Sequence, residues 1–318
     1  MCKNISLKDL VLTQTDTIDI RDCYVKTGIE GILKTMDREL VGLKNVKTRV
    51  REISSVLLFD RIREIQELAT LNSSLHMAFT GRPGTGKTSV AAKIALVLRS
   101  LGYLTKGHIT NVTREDLVGQ YVGHTAPKTK EQLQRAQGGI LFIDEAHHLY
   151  KPDNERDYGQ EAIELLLQVM ENQRDDLILI FAGGKTKIDG FFNSNPGISS
   201  RIGNHIDFLD YQNDELLEIA TFLLANENRY KIDLKSTEIL NFYINQLTIF
   251  PAFANVRTIK IFINQLLSYQ AIRVEKTLAE KGSLTYKSLI EIIPEDFSYF
   301  TGDDFVNIIG SENIQLYK

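Results

Sequence analysis

The chain has 318 residues, of which 43% are hydrophobic and 25% are charged, with a net charge of -4 and a pI of about 5.9. This composition is typical of a globular protein with one large or two modest domains. Because phosphate neutralisation supplies most of the affinity for DNA or RNA, the acidic balance argues against a nucleic-acid partner. No stretch approaches the ~20 apolar residues of a membrane-spanning helix, so no membrane partner is expected.

Residues 1–36 are mixed and polar with little periodicity, and they predict an N-terminal arm with at most one short helix. From Asp37 the pattern changes. Apolar residues at steps of three and four between Val46 and Ile65 predict an amphipathic helix.

Beyond this helix, short apolar runs alternate with helical runs. The apolar runs predict buried strands at residues 75–80, 108–112, 140–143 and 177–182, a strand-like segment covers 205–208, and the helical runs cover 87–101 and 162–170. Strands that alternate with helices require crossover connections, so we predict an α/β fold with a parallel sheet and helices on both faces.

The strand signal stops after about Tyr211, and the remaining chain reads as helices at 215–227, 237–246 and 256–280. The change of pattern marks a domain boundary. We therefore predict three parts: the N-terminal arm (1–36), an α/β nucleotide-binding domain (37–211) and a C-terminal helical domain (212–318).

The segment after the first predicted strand, residues 81–88, reads Gly-Arg-Pro-Gly-Thr-Gly-Lys-Thr and fits the P-loop pattern. The glycines let backbone N–H groups surround phosphate oxygens, Lys87 can reach the β- and γ-phosphates, and the Thr88 hydroxyl can bind Mg²⁺. A helix beginning at Lys87 would direct its positive end at the anion. The cofactors predicted are therefore ATP and Mg²⁺. The residues predicted to hold them here are Gly81, Arg82, Pro83, Gly84, Thr85, Gly86, Lys87, Thr88 and Ser89.

Two carboxylates, Asp144 and Glu145, end the third predicted strand. This is the Walker B pattern, in which Asp144 would hold the Mg²⁺ and Glu145 would polarise the attacking water. Two acids can instead cap a following helix, but the upstream P-loop favours the catalytic interpretation. Residues 144–147 also spell a helicase tetrapeptide, Asp-Glu-Ala-His. We discount that interpretation, because the chain is acidic and its C-terminal third is too short and too helical for a second helicase domain.

Tyr121, Val122 and Gly123 lie in a polar loop between the second predicted strand and the next helix. An aromatic residue followed by a small apolar residue and glycine can form a mobile paddle, and a ring of paddles can grip an extended polypeptide. The alternative is that a loop tyrosine simply packs on the surface.

Two arginines are candidates for contact with the nucleotide. Arg201 follows a turn-rich stretch and precedes the strand-like segment, where it can reach a neighbouring subunit's γ-phosphate and stabilise transition-state charge. Arg257 opens the last long predicted helix and could touch the same nucleotide. Either could instead form an ordinary surface ion pair.

Together these residues resemble the AAA+ ATPases and, within them, the red-type Rubisco activase family, CbbX or CfxQ. The similarity runs from about Asp37 to Glu280. The segments that carry it are 37–44 (DRELVGLK), the P-loop, 121–129 (YVGHTAPKT), 140–150 (ILFIDEAHHLY), 192–197 (FNSNPG) and 200–202 (SRI). The P-loop and carboxylate strand are general to AAA+ proteins, whereas residues 124–129 and the two histidines after Glu145 are narrower and indicate the specific family.

The resemblance implies an AAA+ P-loop parallel sheet with flanking helices, followed by a smaller α-helical lid domain, assembled as a hexamer. Lys87, Glu145 and Arg201 would be catalytic, with Arg201 acting on the neighbouring subunit's nucleotide. Val41 and Gly42 would lie near the adenine. Arg257 would be a second sensor of the nucleotide, and Tyr121 would line the central pore.

The implied activity is hydrolysis of ATP to ADP and phosphate, coupled to remodelling of inhibited red-type Rubisco. Transient pulling on the large subunit would release tightly bound sugar phosphates, with ribulose 1,5-bisphosphate as an allosteric activator. The ring would be a homo-hexamer or a hetero-hexamer with a related subunit, in the chloroplast (plastid) stroma if the gene is organelle-encoded and otherwise in a bacterial cytoplasm. A remodeller of another protein and a nucleotide-gated scaffold stay open as alternatives.

One departure from the family pattern concerns the segment after residues 177–182. Many AAA+ proteins place a polar sensor there, often Asn, that helps to orient water, whereas this chain has Gly183-Gly184-Lys185. No first-sensor residue is therefore predicted. Weak ATPase activity of the chain alone, or dependence on a related partner subunit, would be consistent with this gap.

Overall fold

A computed structural model describes residues 19–70, 74–150, 157–172, 176–227 and 229–309. The chain divides into two compact units. Of the described residues, the first unit contains those up to Gly81 and those between Gly86 and Leu209, and the second contains Arg82–Thr85 and those from Asp210 onwards.

A five-stranded parallel sheet forms the centre of the first unit, in the order β2-β3-β4-β1-β5. Its strands are β1 (Met77–Gly81), β2 (Ile109–Val112), β3 (Gly139–Ile143), β4 (Leu177–Gly183) and β5 (Asn204–Phe208). Every residue of β3 and β4 is buried, as expected for parallel strands covered on both faces. The sheet confirms the predicted fold class.

Nine helices of the first unit are found among the described residues: α1 (Ile20–Lys26), α2 (Ile29–Glu39), α3 (Lys44–Ile65), α4 (Lys87–Ser100), α5 (Arg114–Leu117), α6 (Thr125–Ala136), α7 (Gly159–Asn172), α8 (Lys185–Ser194) and α9 (Pro196–Ser199). A 3₁₀ turn covers Ala146–Leu149. Apolar residues of α5 to α9 share one buried cluster with alternate residues of β3 and β4. This packing holds the carboxyl end of β3, which Asp144 follows directly.

Residues 1–18 of the predicted N-terminal arm lie outside the described residues. In the rest of the arm, helices α1 and α2 show that the prediction of at most one short helix is wrong. The Asp19 carboxylate caps α1 by accepting a 2.8 Å hydrogen bond from the Arg21 N–H. Helix α2 buries Ile29, Leu33 and Met36, which are spaced by four and three residues, and it packs against α3 and α4. Together with Ile32 these residues have the i, i+3, i+4, i+7 spacing of an amphipathic helix, so the sequence itself contained the signal for α2.

The second unit is mainly helical, as predicted. Its elements are α10 (Asn213–Phe222), a π-helical turn (Leu223–Glu227), β6 (Lys231–Ile232), α11 (Leu234–Thr248), α12 (Val256–Lys281), α13 (Tyr286–Ile290), β7 (Glu291–Ile292), α14 (Pro294–Phe297) and α15 (Gly302–Ile309). Stacked aromatic rings fill its core, with Tyr243 against Phe297 and Phe262 against Phe300. In neither unit does a described helix have the length and apolar content needed to cross a membrane.

Candidate nucleotide-binding and hydrolysis site

The two ends of the P-loop belong to the first unit. Gly81 ends β1, and a Cβ at this position would lie 2.4 Å from the Phe208 carbonyl oxygen, so only glycine allows this approach to β5. Lys87 begins α4, its side chain is buried, and its Nζ donates a 2.9 Å hydrogen bond to the Gly81 carbonyl. Thr88 and Ser89 follow, exposed on the first helical turn. The Lys87 side chain therefore connects the two ends of the loop, and Thr88 is exposed to solvent.

The middle of the P-loop belongs to the second unit. A Cβ at Gly84 (φ 75°) would lie 2.0 Å from the Ala254 carbonyl oxygen, so a larger residue would displace the backbone. The Arg82 guanidinium donates to Asp210 Oδ2 at 3.0 Å and to the Phe253 carbonyl at 2.9 Å. The Thr85 hydroxyl donates to the Arg82 carbonyl at 2.8 Å. The side chain of Arg82 thus fixes the loop, and its predicted contact with nucleotide stays a prediction.

Asn255 is a site residue that the sequence analysis missed. It is fully buried with φ 50° and ψ -130°, a backbone conformation that is unfavourable for a residue with a side chain. Its amide donates to Asp210 Oδ1 at 2.8 Å and to the Pro83 carbonyl at 3.4 Å, and its Oδ1 accepts from the Tyr211 N–H at 3.0 Å. Asn255 therefore ties the P-loop segment to the start of α12, where Arg257 lies. The signal that could have found it is an asparagine directly before a helix.

Arg257 lies exposed on the first turn of α12. Its backbone N–H donates to the Ala254 carbonyl at 3.1 Å, and its guanidinium makes no hydrogen bond or ion pair within the described part of the chain. The surface ion pair that the sequence left open is thus not formed here. Its predicted contact with the nucleotide stays a prediction.

The Walker B carboxylates follow directly on β3. The Asp144 N–H donates to the Val112 carbonyl at 2.8 Å, which extends the β2–β3 pairing by one residue, and Asp144 Oδ1 accepts from the Glu145 N–H at 3.1 Å. Glu145 has φ 47° and ψ 47°, a left-handed conformation that is unfavourable for a residue with a side chain. The unfavourable backbone conformation therefore lies at the residue predicted to activate water.

His147 lies beside Glu145, and sequence analysis gave it no chemical role. Its side chain is 13% exposed, and its Nδ1 lies 3.4 Å from Glu145 Oε2 without forming a hydrogen bond. Burial, followed by the charges of His148 and Lys187, lowers the pKa of His147 to about 4. The imidazole is therefore neutral at pH 7.

Oxygen donors are the ligands that Mg²⁺ prefers, and the Thr88 hydroxyl and Asp144 carboxylate predicted to bind it fit that preference. A second group of potential ligands consists of Glu145, His147 and His148, whose donor atoms lie within 4.8 Å of one another. Imidazole suits transition metals better than Mg²⁺. The histidines therefore do not belong to the predicted Mg²⁺ site.

Gly184 is the position where a first sensor would lie. It follows β4, precedes α8, and has φ -65° and ψ 139°, which any residue can adopt. A Cβ built there would have only Lys187 Cδ nearby, at 4.0 Å. The position therefore lacks a polar side chain but has room for one.

Arg201 lies between α9 and β5, and its side chain is bound by other residues of the same chain. Its guanidinium donates to the Gly197 carbonyl at 2.6 Å and forms an ion pair with Glu171 of α7. The ion pair that the sequence left open as an alternative is thus present. A role on a neighbour's nucleotide would require Arg201 to exchange Glu171 for phosphate.

The predicted pore-loop residues are strongly exposed. Tyr121 is 67% and Val122 79% exposed, between α5 and α6, and Gly123 has φ 79°. The Tyr121 ring meets the His124 ring edge-on at 5.5 Å, and no other ring contact of Tyr121 occurs among the described residues. Two adjacent apolar side chains in solvent are available for contact with another molecule.

Val41 and Gly42 form the turn between α2 and α3, and both are half-buried. The turn lies near α4, because Glu39 at the end of α2 accepts a 2.6 Å hydrogen bond from Lys93 of α4. The turn and the helix that begins with Lys87 therefore lie in one neighbourhood. Contact of Val41 and Gly42 with adenine stays a prediction.

Comparison with known proteins adds to this geometry. The sequence model of the "ATPase family associated with various cellular activities (AAA)" matches residues 77–208, and that of an AAA lid domain matches 212–305. A protein named CfxQ homolog from Guillardia theta is 53% identical over 285 residues, which cover 90% of this chain and 96% of that protein. The chain belongs to the CfxQ/CbbX family of AAA ATPases. It is an ATP-hydrolysing enzyme.

Two further members of this family show its range. A protein named ribulose bisphosphate carboxylase/oxygenase activase, chloroplastic, from Cyanidioschyzon merolae is 51% identical over 90% of this chain and 97% of its own length. The protein named CbbX from Cereibacter sphaeroides is 51% identical over 89% of this chain and 91% of its own length. CfxQ/CbbX proteins thus occur in both chloroplasts and bacteria, and this chain matches them along nearly its entire length.

Proposed function

We propose that this CfxQ/CbbX protein uses ATP hydrolysis to remodel inhibited red-type Rubisco and release its tightly bound sugar phosphates. The observation that supports this substrate is the similarity to the Cyanidioschyzon merolae relative, which is named as a Rubisco activase and matches over almost its whole length. The compartment that follows is a plastid stroma or a bacterial cytoplasm.

In the proposed hydrolysis step, backbone N–H groups of residues 84–86 and the Lys87 ammonium hold the β- and γ-phosphates. Mg²⁺, bound by Thr88 and Asp144, would neutralise charge on the phosphate oxygens. Glu145 accepts a proton from the attacking water as the new oxygen–phosphorus bond forms and the bond to ADP breaks. Support for these roles comes from the position of the two carboxylates beyond β3 and from the held geometry of Lys87.

In the proposed coupling step, six subunits form a ring, either of this chain alone or with a related subunit. Tyr121 and Val122 of each subunit contact an extended segment of the Rubisco large subunit and move it as ATP is hydrolysed. The exposure of these two side chains supports this role. Ribulose 1,5-bisphosphate activates the ring, and Arg257 senses the nucleotide from the helical domain.

Replacing Tyr121 by Ala is expected to abolish reactivation of inhibited Rubisco while ATP turnover stays within about twofold of wild type. The reason is that the side chain touches the substrate polypeptide and lies outside the hydrolysis site. The measurement is recovery of carboxylation after inhibited red-type Rubisco is mixed with the chain and ATP, with and without ribulose 1,5-bisphosphate.

Tyr286→Ala is the matched control, since Tyr286 is also strongly exposed but lies on α13 in the second unit. It should leave reactivation unchanged. Reactivation that persists in Tyr121→Ala would exclude the pulling step. If wild-type protein restores no carboxylation under any condition while it hydrolyses ATP, the substrate is a different protein.

A further inference from the structure

The starting observation is a buried imidazole without a partner. Neither Nδ1 nor Nε2 of His147 is accessible to solvent, and neither makes a hydrogen bond with any described residue. Buried polar groups in native proteins are almost always hydrogen-bonded, and leaving one unpaired is unfavourable. An exception beside a catalytic carboxylate therefore calls for a functional explanation.

The surroundings of His147 bring it towards Glu145. The 3₁₀ turn that carries His147 packs against β4 and α8. At Gly183, the last residue of β4, an added Cβ would lie 3.3 Å from His147 Nδ1, so glycine leaves room for the imidazole. The ring of the exposed His148 lies beside the imidazole, at 4.1 Å between centroids. The Glu145 carboxylate lies 3.4 Å from Nδ1, and the charge of Lys187 also acts on the imidazole.

We propose that His147 is a positioning residue for ATP hydrolysis, and that its Nδ1–H donates a hydrogen bond to the Glu145 carboxylate when nucleotide is bound. This bond holds the carboxylate towards the attacking water. In this chain His147 would thus orient the group that activates water, a task that a polar side chain at position 184 performs in many AAA+ proteins and that Gly184 cannot perform. The proposal rests on the proposed role of Glu145 as acceptor of the water proton.

The protonation chemistry is consistent with this role. A neutral imidazole with its proton on Nδ1 donates to the carboxylate, whereas the other tautomer would place a lone pair against it. An imidazolium would form an ion pair with Glu145 and weaken it as a proton acceptor. His147 itself neither gains nor loses a proton in the step, because the water proton goes to Glu145.

The test compares two amides at position 147. The side-chain nitrogen of Asn can take about the place of Nδ1, and that of Gln about the place of Nε2. We expect His147→Gln to lower kcat by about 10²-fold, which is the size of effect expected from a misplaced catalytic group, with the KM for ATP unchanged. His147→Asn should retain most of the activity. The melting temperatures of the two variants should be similar.

Two controls separate this proposal from the alternatives. His148→Asn should retain wild-type kcat. If Glu145, His147 and His148 instead formed a catalytic metal site, replacing either histidine would lower kcat to a similar extent. Gly184→Asn in the His147→Gln background should restore kcat severalfold, since position 184 has room for the side chain.

The proposal is overturned if His147→Gln turns over like wild type, if Asn and Gln variants lose kcat equally, or if the loss appears in KM instead. Failure of the role of Glu145 is visible separately, because Glu145→Gln would then keep its turnover whatever residue stands at 147.

Discussion

Replacing Glu145 by Gln is expected to lower kcat for ATP by about 10²- to 10⁴-fold, the range expected when a general base is lost. Gln has nearly the same shape but cannot accept the proton of the attacking water. The hydrogen bond from the residue 145 N–H to Asp144 Oδ1 involves only the backbone at 145, so it should survive the change. ATP affinity should therefore stay near wild type. The two measurements are titration with a fluorescent nucleotide for affinity and steady-state ATPase assays for kcat.

Lys87→Ala is the contrasting variant. Lys87 is buried and bound to Gly81 at the base of the P-loop, so its loss should abolish ATP binding as well as turnover. If Glu145→Gln lost ATP binding to the same extent, or hydrolysed ATP at the wild-type rate, the assignment of Glu145 as the water-activating group would be wrong.

Arg201→Ala is expected to lower kcat by about 10³-fold or more, the lower end of the effect of arginine fingers. If Arg201 acts on the neighbouring subunit's nucleotide, mixing Arg201→Ala with Glu145→Gln should restore turnover although each variant is inactive alone. If the proposed ring forms, a mixture of the variants would contain some interfaces that combine an intact Glu145 from one subunit with an intact Arg201 from the next. The measurement is ATPase activity against the mixing ratio, with a maximum at intermediate ratios.

The ion pair between Arg201 and Glu171 requires its own control. Removing Arg201 also leaves Glu171 without this partner, which could disturb α7. Glu171→Gln removes the ion pair but keeps the arginine, and it should hydrolyse ATP at least as fast as wild type if the pair restrains Arg201. Mixtures that remain inactive at every ratio would contradict action between subunits and leave Arg201 a structural residue of its own chain.

The strands and the P-loop were predictable because their signals are local. A buried parallel strand is a continuous apolar run, as in Leu177–Gly183, and the P-loop needs its glycines at fixed spacing. Helix α2 was missed although Ile29, Leu33 and Met36 have the spacing of an amphipathic helix, so a local signal was present here too. What no local pattern reveals is that this face packs against α3 and α4.

Contacts between distant residues account for the parts of the site that sequence could not supply. Asn255 reaches Pro83 across 172 positions, and Arg201 reaches Glu171 across 30. Such pairs depend on how elements pack, and nothing in either segment alone indicates the partner. His147 was seen as a family marker, but its role depends on burial of both ring nitrogens, which only coordinates provide.

At position 145 the residue that is best for stability differs from the residue that is needed for activity, because Glu145 has a left-handed backbone conformation. Glycine or asparagine would adopt φ 47° more easily, so Glu145→Gly should raise the free energy of unfolding by roughly 0.5–1 kcal/mol, measurable by urea denaturation, while turnover is lost. Selection of variants of this chain for heat resistance alone should therefore enrich glycine and asparagine at position 145, and those variants would not hydrolyse ATP. Retention of glutamate there under such a screen would mean that the conformation carries no penalty.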